Sequence, residues 1–148
     1  MKIEEEIKQP KFKSELQKAV INLIFTSNWL QAHQQDFFKN SGITAQQFNI
    51  LRILKGQFPK AISATEIKTR MLDRNSDISR LLDRLISKGL VSKTTCPKDK
   101  RASDVVITET GLNTLQSLDT KQKEIDSIIR LSEDEASQLS SLLDKARG

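Results

Sequence analysis

Ser76, Ser79, Arg80 and Arg84 recur at spacings of one helical turn, and the residues between them include Ile78, Leu81, Leu82 and Leu85. At the helical period this pattern separates an apolar stripe from a face of hydroxyls and guanidinium groups. A guanidinium presented in that way can bond O6 and N7 of guanine together, and Ser hydroxyls can meet either bases or phosphates. With the adjoining Arg74, Asn75 and Asp77, these residues are candidate contacts of a helix that enters a DNA groove. From Arg74 to Arg101 the chain holds Arg74, Arg80, Arg84, Lys88, Lys93, Lys98, Lys100 and Arg101 against Asp77, Asp83 and Asp99, a net charge of +5 that equals the charge of the whole chain. The remainder is neutral, with 16 of the 24 bases and 16 of the 19 acids. Positive charge gathered in one contiguous segment is the footprint of a nucleic-acid surface. The competing reading is a solvated basic face.

A second basic group follows at Pro97-Lys-Asp-Lys-Arg101. Lys98, Lys100 and Arg101 at a hairpin tip suit phosphate contact, with an Arg inserted into the narrow minor groove where the potential is most negative. Asp99 would repel DNA if it faced it, so it is expected to support the loop, with Arg101 or Arg84 as its partner. Asp83 is expected in the same supporting role.

The elements that must position these groups are signalled by recurring helix starts. Thr44/Gln47, Ser63/Glu66 and Ser132/Glu135 each place a cap three residues before a Glu or Gln, so that cap and partner satisfy each other's free backbone donors. The pattern predicts a long first helix over 11–39, a helix over 45–55, a short one over 64–71 and a fourth ending at Lys88, with Gly89 as its left-handed stop. Leu90 to Thr95 and Asp104 to Ile107 read as two strands of a β-hairpin, and 109–130 and 133–145 as helices. The expected fold is therefore mainly α with a small hairpin wing: a winged helix-turn-helix over 44–107, flanked by helices over 1–40 and 109–148. The first of them is apolar on more than one side, and the flanking helices need an apolar partner, for which a second copy of the chain is the cheapest choice.

Bulk properties exclude several classes. A chain of 148 residues with 36% apolar residues, 5 Gly and 3 Pro can bury a core without staples. No apolar run approaches the roughly 20 residues that span a bilayer, and the acidic start carries no signal-peptide core, so no membrane association and a cytoplasmic location are expected. One cysteine and one histidine are too few for an all-protein Cys/His metal site. No Gly-rich phosphate loop, nucleophile elbow or paired His/carboxylate cluster is present, and there is no tyrosine, which argues against an enzyme and against a cofactor.

The run Ser76 to Leu85, then Lys88-Gly-Leu-Val91, Asp99-Lys-Arg101 and Ile107-Thr-Glu-Thr-Gly111, resembles the MarR family of bacterial transcriptional regulators. The resemblance covers Thr44 to about Leu118 by motif. It implies a homodimer with interlocked terminal helices and two winged lobes on a pseudo-palindromic double-stranded operator, usually acting as a repressor. Many members release DNA when a small phenolic compound binds between the dimer and DNA-binding regions. By position, Ser76, Ser79 and Arg80 would read the major groove and Arg101 would enter the minor groove. Asp77 stands where a neutral residue is more usual, and it either accepts from a cytosine amino group or caps its own helix.

Three further readings accompany this one. Phe25, Trp29, His33 and Phe37, with Phe38, can line a pocket for a small aromatic ligand, against the alternative of ordinary core and dimer packing. Cys96 is a candidate redox switch, since some family members sense oxidants through a thiol and Lys93 and Lys98 favour a thiolate; an incidental strand-end cysteine is the alternative. A winged helix that coats DNA without sequence preference, or binds protein, differs in its salt and sequence dependence.

Overall fold

The computed structural model describes residues 1–96 and 99–148; at 95, 96 and 99–103 it describes the backbone alone. The elements run α1 (Ile3–Glu6), α2 (Glu15–Phe38), α3 (Ala45–Gln57), β1 (Ile62–Ser63), α4 (Ala64–Arg70), α5 (Ile78–Ser87), β2 (Val91–Cys96), β3 (Asp99–Ile107), α6 (Glu109–Asp126) and α7 (Glu133–Arg147). This is the expected winged-helix order. The hairpin strands are longer than expected: β3 begins at Asp99 and pairs with β2 as far as Cys96, so Lys100 and Arg101 lie within the strand and not in a loop ending at Ser103. Three other differences concern small elements and ends. A two-residue strand, β1, and the one-turn helix α1 carry too few residues for a periodic signal. The recognition helix α5 starts at Ile78 because Asp77, in an extended conformation, caps it.

The predicted helix starts are made by their caps. Thr44 accepts from the Gln47 N–H at 3.2 Å while the Gln47 side chain accepts from the Thr44 N–H at 3.0 Å, and Ser132 and Glu135 close the same reciprocal box. Ser63 accepts from the Glu66 N–H at 3.1 Å. Each box satisfies two of the orphan donors at a helix start. Gly89 ends α5 at φ +72°, a conformation that costs glycine nothing.

The sheet is antiparallel in the order β1-β3-β2, with Ile62 opposite Val105 and Val91 opposite Ile107. Its apolar side and the stripe Ile78, Leu81, Leu82 and Leu85 of α5 close on α3, whose Ile50, Leu51 and Leu54 are buried. Each such side chain contributes about 1.5–3 kcal/mol by leaving water. Leu115, Leu118 and Ile125 of α6 belong to the same core, so α6 is part of the winged-helix body as well as its exit.

The joint into α6 explains the Thr-x-x-Gly motif. Thr108 Oγ1 donates to the Gly89 carbonyl at 2.7 Å and accepts from the Gly111 N–H at 3.1 Å, while the Thr108 N–H bonds the Leu90 carbonyl at 3.1 Å. A Cβ on Gly111 would lie 2.7 Å from Ile107 Cγ1 and closer still to the Leu90 carbonyl oxygen. Only glycine lets the helix approach the end of α5 and the base of the hairpin so closely.

The outer helices are different. Of the 24 residues of α2 only Phe38 is buried, and α7 buries none. Leu16, Val20, Leu23 and Ile24 on α2 and Leu142 on α7 are each at least half exposed. Among the described residues, no helix is long and apolar enough to cross a membrane.

Candidate nucleic-acid interface

The helix-turn-helix is α4, the turn over 71–77, and α5. Because Ile78, Leu81, Leu82 and Leu85 face the core, α5 presents Ser79, Arg80, Asp83, Arg84 and Ser87 to solvent. Asp77 Oδ1 accepts from the Arg80 N–H at 3.2 Å, the geometry of a helix cap. Arg80 therefore projects from the first turn of a capped helix, the place from which helix-turn-helix proteins reach base edges. Arg84 lies one turn further on, and Ser87 Oγ is used on the Arg84 carbonyl at 2.8 Å. Arg74 and Asn75 are exposed in the turn, where Asp73 Oδ1 accepts from the Asn75 N–H at 2.9 Å.

Ser76 is the correction. The spacing places it on the outward face, but it precedes the helix and is only 5% exposed, with its Oγ accepting from Gln46 Nε2 at 3.3 Å. A position two residues before the helix does not obey the helical period, so spacing along the chain does not place it outward. Ser79 remains on the outward face. Of the wing residues named from the sequence, Lys98 lies outside the described residues, and so do the side chains of Cys96, Asp99, Lys100 and Arg101.

An open cleft of about 870 Å³ lies between α2, the start of α3, the turn at Met71 to Asp73 and α6. Its apolar walls include Phe38, Phe48, Ile53 and Leu72, and carboxamides of Gln31, Gln34, Gln35, Gln46, Asn49 and Gln122 line the rest with Arg52. The Arg52 guanidinium lies 5.9 Å above the Phe48 ring. Gln122 Nε2 donates to Asp126 Oδ1 at 3.0 Å, while Gln122 Oε1 is buried without a partner.

This is not the aromatic pocket expected from the sequence. Phe25, Trp29, His33 and Phe37 do not line it. Trp29 and His33 sit together on the exposed side of α2, with ring centroids 4.4 Å apart and His33 Nδ1 donating to the Trp29 carbonyl at 2.9 Å. Phe37 packs edge-on against Phe38 at 5.0 Å. Successive helical residues point about 100° apart, so Phe38 turns into the cleft while Phe37 turns to the neighbouring packing. The carboxamides were not legible as a site because Gln and Asn on a polar helix face carry no motif.

Comparison with known proteins agrees with this geometry. The model of the MarR family matches residues 41–102. The uncharacterized HTH-type transcriptional regulator YdgG of Bacillus subtilis is 34% identical over 88 residues, covering 58% of this chain and 55% of that protein, so the match spans about half the length of this relative. The crystal structure of a MarR transcription factor from Planctomyces limnophilus is 31% identical, with a TM-score of 0.71 over 90% of this chain and 98% of that one. A mutant MarR from E. coli complexed with operator DNA is 28% identical, with a TM-score of 0.72 over 84% of this chain and 91% of that one.

Proposed function

The chain belongs to the MarR family of DNA-binding transcriptional regulators, and from that premise we propose that it is a cytoplasmic repressor that reads a pseudo-palindromic operator as a homodimer and answers to a small molecule. The observation that carries sequence reading is Arg80, exposed in the first turn of α5 above a fully packed apolar stripe. Arg80 reads a base edge, Ser79 and Arg84 meet bases or the backbone beside it, and Arg74 and Asn75 flank the entry to the groove. Lys98, Lys100 and Arg101 are assigned to phosphate and minor-groove contact on the charge of their segment.

The exposed apolar residues of α2 and α7 support the dimer. A monomer rarely leaves so many large apolar side chains in water, and a second copy covers them with matching surfaces. On this reading residues 44–107 bind DNA while 1–40 and 109–148 hold the two copies together. The cleft supports an effector: an apolar wall with Phe38 and Phe48, beside carboxamides that can both donate and accept, suits a small aromatic molecule bearing polar groups.

Selection of bound sequences from a random duplex pool, followed by titration of the winner at two salt concentrations, tests the proposal. The expected result is an enriched palindrome with half-sites about 10 bp apart, centre to centre. Binding without enrichment that vanishes at moderate salt would instead mark a non-specific DNA-coating protein.

A further inference from the structure

One wall of the cleft and the approach to the recognition helix are the same piece of chain. Leu72 and Asp73 line the cleft, and α5 begins at Ile78. Two carboxamides of α3, both also lining the cleft, hold that turn. Asn49 Oδ1 accepts from the Leu72 N–H at 3.0 Å, and Gln46 Nε2 donates to Asp73 Oδ2 at 3.2 Å and to Ser76 Oγ at 3.3 Å. Asp73 extends the hold, since its Oδ1 accepts from the Asn75 N–H at 2.9 Å and its carbonyl from the Ser76 N–H at 3.3 Å. Ser76, buried under Gln46, adjoins the cap Asp77, whose carboxylate fixes the turn that carries Arg80.

We propose that Gln46 and Asn49 are positioning residues that set the pose of α5 for base reading. The inference rests on the reading of the chain as a sequence-selective regulator. Its physical basis is the hold these carboxamides keep on the turn: removal of one leaves the Leu72 N–H or the Asp73 carboxylate without that partner. The turn then relaxes, and base reading, which carries the sequence information, suffers more than phosphate contact, which carries none.

Linkage supplies a test in the wild-type chain. If release of the turn weakens operator binding, operator binding must oppose release of the turn by the same free energy. Hydrogen exchange of the wild-type dimer is therefore expected to show the Leu72 N–H slowed by the selected operator and not by a random duplex of equal length at equal saturation. In Asn49→Ala the ratio of operator to random-duplex affinity is expected to fall about fivefold, the scale of one net hydrogen bond, with random-duplex affinity unchanged. Asn49→Asp, which keeps an acceptor oxygen for Leu72, is expected to hold the wild-type ratio. Leu72 exchange indifferent to the operator, or an unchanged ratio in Asn49→Ala, would overturn the inference alone. A wild-type chain that prefers no duplex would overturn the regulator reading with it.

Discussion

The Asp77 carboxylate accepts the backbone N–H of Arg80 across 3.2 Å, so the residue that starts the recognition helix also fixes the backbone of the residue best placed to read a base. The two side chains have separable work. Asp77→Ala removes a cap and is expected to cost about 0.5–2 kcal/mol of folding stability. Arg80→Ala leaves the cap intact and is expected to cost about 1–3 kcal/mol of operator binding and to relax preference at one base pair. Urea unfolding measures the first, and titration against operators substituted base by base measures the second. Equal weakening of Arg80→Ala on every duplex would make Arg80 a phosphate contact.

Gly111→Ala is expected to destabilise the fold by about 1–3 kcal/mol or more, the range of overpacking in a closed joint. The added methyl meets Ile107 and the Leu90 carbonyl, and neither the strand end nor the backbone can yield without moving α6. The midpoint of urea unfolding reports it. A midpoint equal to that of the wild type would mean that α6 shifts at no cost.

Removal of α7, by ending the chain before Leu131, is expected to give monomers or aggregates. Leu139 and Leu142 are 40% and 64% exposed, and their removal strips a covering surface from the partner copy as well. Sedimentation of the shortened chain decides the point, since a clean dimer would refute a role for α7 in the interface.

The contact between Glu4 and Lys18 at 2.5 Å fastens α1 to α2. The hydrogen bond from Lys18 holds the Glu4 carboxyl below its ordinary range, and the bond to Glu4 lifts Lys18 above its own. A lowered acid contributes stability above its unfolded pKa and loses it as pH falls through the folded value; a raised base contributes below its unfolded pKa and loses it as pH rises through the folded value. The tether is thus present across the neutral range and released in acid and in strong alkali. Carboxyl NMR titration is expected to move Glu4 upward in Lys18→Met, and an unmoved Glu4 would deny the pairing.

Local chemistry made much of the fold legible. Caps at Thr44, Ser63 and Ser132 announce helix starts because they act within three residues, and Gly89 announces an end because a positive φ is a property of one residue. The stripe of α5 was readable for the same reason, since a period needs no partner to be seen. Arg80 followed from the stripe, being what lies opposite it.

Sequence alone thus determined the helix order, the winged architecture, the concentration of charge and the outward placement of Ser79, Arg80 and Arg84. Tertiary structure decided what depends on residues far apart in the chain. Ser76 turned inward because Gln46, thirty residues earlier, reaches it, and of the expected aromatic residues the cleft kept Phe38, beside a set of carboxamides. Periodicity specifies which residues share a face of one element. Only the packing of elements specifies what that face meets, because contact energies depend on distances that spacing along the chain does not encode.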